Sequence, residues 1–143
     1  LEIDFLAKVH AVQPEKEYEE AIILGINFLL DMQYDNGGWP QEHPKPSGYN
    51  AAITYNDNAM TNVLFLLNGI ASKKDPNYSF VSNEIHRKAL QAVQKGIDCI
   101  LKTQIRVNGR LAGWCAQHDK DTLKPTGARS YEHPSISGQE SGS

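Results

Sequence analysis

The chain has 143 residues, 40% hydrophobic and 22% charged, with a formal net charge of −3. That is ordinary globular composition, long enough for one domain with a core, and it excludes disorder along the whole length. Its charges are interspersed without a basic stripe, which excludes the footprint of a nucleic-acid binder, and no apolar run nears the roughly 18 residues of a membrane span.

The first apolar pattern, Ile3, Leu6, Ala7, Val9 and His10, has helical spacing and predicts a helix to about Val12, limited by Pro14. The second helix is predicted over 18–34. Tyr18, Ala21, Ile22, Gly25, Ile26, Leu29, Leu30 and Gln33 share one face, and Ile23, Leu24 and Phe28 make others apolar, as in an inner helix covered on two sides. A third begins near Asp57 with Met60, Val63, Leu64, Leu67 and Ala71 on one stripe. The fourth, 82–104, is expected to bury Ile85, Ala89, Ala92, Val93, Ile97, Ile100 and Leu101 while Arg87, Lys88, Gln91, Gln94, Lys95 and Lys102 face out. No segment alternates as a strand does. The chain opens without Met inside a helical pattern and closes on a polar run, 137–143, so both ends read as cut.

An internal repeat joins 18–41 to 89–117. Ala21, Gly25, Ile26, Leu30 and Gln33 match Ala92, Gly96, Ile97, Leu101 and Gln104, and each helix is followed by Asn-Gly and then Gly-Trp, at Asn36 to Trp39 and at Asn108 to Trp114. Each helical glycine costs roughly 1 kcal/mol relative to alanine, so the recurrence points to close helix packing. Helix pairs with a long loop after the inner helix describe an all-α fold, part of an α/α toroid or solenoid. Loops of this length, 35–56 and 105–143, are uncommon unless they carry function or are disordered; their Trp, Tyr, His and Asn content favours function.

Three clusters in these loops bear chemistry. Trp39, with Gln41, His43, Tyr49, Asn50 and Tyr55, could stack on and hydrogen-bond a sugar; the alternative is a Trp that plugs the helix ends, as Trp114 would in the second repeat. Asn56, Asp57 and Asn58 could cap the third helix or offer oxygen ligands to a hard cation, which needs six to eight and cannot take them all from here. The third cluster runs from Gln117 through His118, Asp119, Asp121, Lys124, Arg129 and Tyr131 to His133. Asp119 and Asp121 are only a weak fragment of a calcium loop, and Arg129 is either an ion-paired structural residue or a reader of a substrate carboxylate. Cys99 and Cys115 lack zinc or redox spacing and are expected to be buried thiols, the alternative being one isolated bridge.

On this helical repeat, the segments GGWPQ (37–41), TYNDNAM (54–60), GWCAQHD (113–119) and KPTGARSYEHPSISGQES (124–141) resemble the family-ten polysaccharide lyases, which are pectate lyases. The resemblance spans essentially the whole chain. It implies a partial catalytic domain over 1–143 that cleaves polygalacturonate by β-elimination with calcium as cofactor, in a secreted monomer. It implies Asp57 as a calcium ligand and Arg129 as the base that removes the C5 proton, with Trp39, Asn56, Lys124 and Tyr131 as substrate-binding candidates. A second calcium-site acid of the family belongs to an Asp-Asn motif upstream of residues 5–9 and outside this chain. An arginine base must first lose a proton that guanidinium holds far above neutral pH, so the role calls for desolvation or neighbouring positive charge and an alkaline optimum. Two other readings share the residue inventory: a toroidal glycoside hydrolase using two of Asp57, Asp119, Asp121 and Glu132, and a non-catalytic carbohydrate-binding repeat.

Overall fold

In a computed structural model, which describes residues 2–127, the chain is mainly helical and divides into two compact units. Helix α1 spans Glu2–Val12, α2 Lys16–Asp31, α3 Ala59–Ser72 and α4 Asn83–Thr103. The first unit is Leu1–Asp31 with Asn62–Gln94, and the second is Met32–Thr61 with Lys95–Ser143. No helix among the described residues is long and apolar enough to cross a membrane.

In the first unit, α1 carries Glu2 and Asp4 in its first turn and His10 in its last, the polarity a helix dipole favours. His10 ties α1 to α2: Nδ1 accepts from the Glu15 amide at 3.2 Å, Nε2 lies 3.3 Å from the Glu19 carboxylate, and the ring stands edge-on to Phe80. Gly25 permits the close approach of the two helices, since a Cβ there would lie 2.8 Å from Ile3 Cγ1. Ala7, Ile22, Ile26, Leu67, Ile70 and Ala89 are fully buried, and a burial of that kind contributes roughly 1.5–3 kcal/mol for each large aliphatic side chain. The second helix is not covered on two sides as its composition predicts: Leu24 is 72% exposed and Phe28 is exposed with it. It also ends three residues early, at Asp31, because the next residues turn back on themselves.

The second unit contains strands that the sequence pattern does not predict. Strands β1 (Ile53–Thr54), β4 (Gln117–His118) and β5 (Pro125–Thr126) form an antiparallel sheet in the order β1-β4-β5, with Ile53 opposite His118 and Gln117 opposite Thr126. A separate hairpin pairs β2 (Arg106–Val107) with β3 (Arg110–Leu111) through Asn108 and Gly109, both at positive φ, as a two-residue type I′ turn requires. Two-residue strands are too short to show a period, which is why alternation could not reveal them. The core here is Trp39, Ile53, Tyr55, Met60, Cys99 and Cys115 with the buried polar residues Thr54, Thr103, Gln117 and His118. Ile97 and Leu101, expected inside, are exposed, because Cys99 and Thr103 occupy the buried face of this end of α4.

Candidate active site

The residues that bear chemistry lie in the two loops of the second unit, and each loop starts from a glutamine at a helix end. Gln33 Nε2 donates to the Gly37 carbonyl at 3.0 Å, and Gln104 Nε2 donates to the Ala112 carbonyl at 2.7 Å. The two loops are then joined by Asn36, whose Oδ1 accepts from the Gly38 amide and whose Nδ2 donates to the Lys120 carbonyl at 2.6 Å. Trp39 is 2% exposed. Its ring therefore has no free face for a sugar, and the plug reading replaces the substrate-binding one. Trp114 is half-buried and donates its indole N–H to the Ile100 carbonyl at 2.8 Å. Both cysteines are buried free thiols, as the spacing implied, and burial pushes the Cys99 thiol up.

His118 organises the segment that follows Trp114. Fully buried, it has Nδ1 3.0 Å from the Leu123 carbonyl, while Nε2 accepts from the Cys115 amide at 3.1 Å. Those partners require the neutral ring with its proton on Nδ1, and burial pushes its pKa down. Gln117 donates to the Thr54 hydroxyl at 2.9 Å and to the Tyr49 carbonyl at 3.2 Å. Asp119 closes a turn of its own: Oδ1 accepts from the Thr122 amide and hydroxyl and from the Asp121 amide, and the Thr122 amide is the main cause holding its carboxyl below the usual range. This is an Asx-type turn.

Asp57 sits in the left-handed region with φ 56° and ψ 25°, and Asn58 follows at φ 57°. Two consecutive residues there cost roughly 1 kcal/mol or more each, although Asp and Asn are among the residues least penalised. The Asp57 carboxylate is exposed and accepts from Asn56 Nδ2 at 3.0 Å. It takes no cap bond from the first turn of α3, so the capping alternative does not describe it. Asn56 Oδ1 is buried without a hydrogen-bond partner, and an orphaned amide oxygen normally carries a cost of about 1–3 kcal/mol. The exposed Asp57 carboxylate and the orphaned Asn56 amide oxygen are each donors of the hard kind that calcium takes, and it is the Nδ2 end of the amide that faces the carboxylate. The pair is incomplete as a site: no three His, Cys, Asp or Glu side chains converge among the described residues.

Of the other candidates, Lys124 lies among the described residues and Arg129 and Tyr131 do not. Lys124 is exposed, and its carbonyl accepts from the Asp119 amide at 2.8 Å in the turn just described. A cavity of about 300 Å³ in the second unit is lined by Tyr49, Asp119, Lys120, Thr126 and Gly127 among others, with the Tyr49 ring exposed. Arg129 and Tyr131, with Glu132 and His133, fall outside the described residues. Sequence reasoning quoted His118 and Gln117 only as polar candidates and missed that they are buried structural groups. Their place in the compact motif Gly-Trp-Cys-Ala-Gln-His-Asp, among small and apolar residues, was the available signal.

Fold and loops together define a mainly helical scaffold that carries its polar and aromatic groups in two long loops. The chain belongs to the pectic acid lyase family, whose model matches residues 1–143. It is similar to a family 10 polysaccharide lyase from Cellvibrio cellulosa, with a TM-score of 0.93 and 40% identity over 98% of this chain. A mutant of that description, in complex with trigalacturonic acid, matches equally well at 40% identity and a TM-score of 0.93. The chain spans 44% of the length of these solved structures. Among curated proteins, none matches it.

Proposed function

We propose that the protein carrying this chain is a pectate lyase that cleaves polygalacturonate by β-elimination. The observation that carries this reading is the likeness over 98% of the chain to a lyase whose mutant is seen with trigalacturonic acid. The Asp57 carboxylate and Asn56 Oδ1 would hold calcium, with the remaining ligands supplied from outside this pair. When bound, the cation would neutralise the uronate carboxylate and stabilise the enolate-like charge that develops at C5. Arg129 acts at that carbon: its neutral guanidine takes the C5 proton, the electron pair of that bond forms the new C4–C5 double bond, the C4–O pair leaves on the oxygen, and a proton from water converts the departing chain to its alcohol. Lys124 and Tyr131 bind substrate. Since polygalacturonate is too large and too charged to cross a membrane, the protein acts outside the cell, as a monomer.

Product chemistry tests the reading in the full-length protein. Incubation with polygalacturonate yields an unsaturated uronide that absorbs in the ultraviolet; reducing ends without that absorbance would make it a hydrolase, and binding without either product would make it a binding module. Asp57→Ala abolishes calcium-dependent production of the chromophore while far-ultraviolet circular dichroism stays unchanged. For Arg129→Lys, a fall in kcat and kcat/KM together, by a factor of about 100 or more, fits loss of the base. A raised KM at parental kcat would reduce Arg129 to an anchor of substrate carboxylate, because lysine keeps the charge but not the planar fork.

A further inference from the structure

The left-handed pair at Asp57 and Asn58 is held from one side by a carbonyl. Ala116 O accepts from the Tyr55 amide at 2.9 Å and from the Asn56 amide at 3.2 Å, fixing the two residues that lead into Asp57. Ala116 is itself fixed by the residues around it. His118 bonds the Cys115 amide on one side and the Leu123 carbonyl on the other, and its ring meets the Tyr55 ring edge-on at 5.5 Å. Tyr55 is tethered at its far end too. Its hydroxyl is 2.6 Å from Thr103 Oγ1, whose own proton goes to the Cys99 carbonyl at 2.8 Å, so the tyrosine is the donor.

We propose that His118 is a positioning residue that, through the Ala116 carbonyl and the Tyr55 ring, holds Asn56 and Asp57 in the conformation that presents their oxygens to a cation. The proposal rests on the reading of Asp57 as a metal ligand, and its test separates the two. His118 is fully buried and its ring nitrogens are taken by backbone partners. It acts by fixing the backbone whose strain would otherwise relax, since left-handed residues persist only where the surroundings over-determine them. Partners behind a metal ligand commonly change affinity by 10–100-fold when removed.

The test uses the full-length protein with two variants. His118→Phe keeps a ring against Tyr55 and deletes both nitrogens, and His118→Asn keeps a donor toward Leu123. The readouts are amide hydrogen exchange at Tyr55 and Asn56 without metal, and the calcium Kd by calorimetry. In His118→Phe those two amides exchange at least about tenfold faster while the amides of α4 keep their protection, and the Kd rises roughly 10–100-fold; His118→Asn falls between. Added to Asp57→Ala, the phenylalanine change weakens calcium binding no further. Unchanged exchange at Tyr55 and Asn56 in both variants overturns the proposal, and so does loss of protection throughout α4 in both, which would make His118 a plain core residue. Should Asp57→Ala leave the Kd unaltered, the ligand reading fails, and the exchange rates alone decide whether His118 holds this segment.

Discussion

The two Gly-Trp turns, 33–39 and 104–114, are closed by the same three bonds and yet differ in what they tolerate. In each, the glutamine amide donates to the carbonyl two residues before the tryptophan. The residue after the glutamine then exchanges backbone bonds with the turn: Tyr34 N to Gly38 O at 2.9 Å and Gly37 N to Tyr34 O at 2.8 Å in the first, Ile105 N to Gly113 O at 3.0 Å and Ala112 N to Ile105 O at 2.8 Å in the second. The first turn carries this frame inward. Gly37, at φ 95°, is seated so close to α4 that a Cβ would run into the Lys95 carbonyl, and Trp39 is buried. The second carries it outward, with an exposed hairpin between its closing bonds and an alanine where the first has Gly37. A shared hydrogen-bond frame thus fixes where a loop leaves a helix, and the packing beyond it decides which residues the loop accepts.

Gly37→Ala breaks the first turn most severely. The Cβ meets backbone, which cannot swing aside as a side chain could, and φ is unfavourable as well. Denaturant unfolding of the full-length protein is expected to show a loss of about 3 kcal/mol or more. Ala112→Gly, the mirror change in the second turn, costs no more than about 1 kcal/mol by the same measurement.

Acid sharpens the contrast, because only the second turn runs directly into a buried histidine. His118 has its pKa lowered in the fold, so the unfolded chain binds the proton more readily. Its contribution to stability is complete above the ordinary imidazole value near 6.5 and is lost as pH falls from there through the lowered folded value. Stability measured against pH should decline below about 6.5, and His118→Asn should flatten that decline. A parental decline in the variant would assign it to other groups. The smallest effect is expected at the hairpin. Val107 and Leu111 are 48% and 55% exposed, so replacing both by threonine changes unfolding free energy by no more than about 0.5 kcal/mol.

The same contrast shows what the sequence reveals. Helices α1 and α4 are legible almost to the residue, because apolar spacing, Pro14 and the polar residues before Ile85 mark their limits. The end of α2 is not, since Gln33 continues the apolar stripe while its amide serves the turn. Asn-Gly occurs twice in equivalent places, yet only Asn108 and Gly109 form a hairpin turn; Asn36 spends its side chain on Gly38 and Lys120. Aromatic content marks Trp39 and Tyr49 alike as possible sugar platforms, and burial separates them. The lyase motifs point to Asp57, but nothing local announces that it and Asn58 are left-handed, and the carbonyl that holds the two residues leading into them belongs to Ala116, distant in sequence.

The bond from Asn36 to the Lys120 carbonyl joins residues 84 apart in the chain. A ribosome adds about 5–20 residues per second, so the first loop waits roughly 4–17 s for the carbonyl that holds it. Local helices form within about a microsecond of their residues becoming free. Helices α1, α2 and α3 are therefore made before the two loops can be joined, whereas α4 emerges within that same interval, and until Lys120 follows it the first loop lacks this partner. Assembly of the site is the late event in the life of this molecule, set by the length of the chain between its two halves.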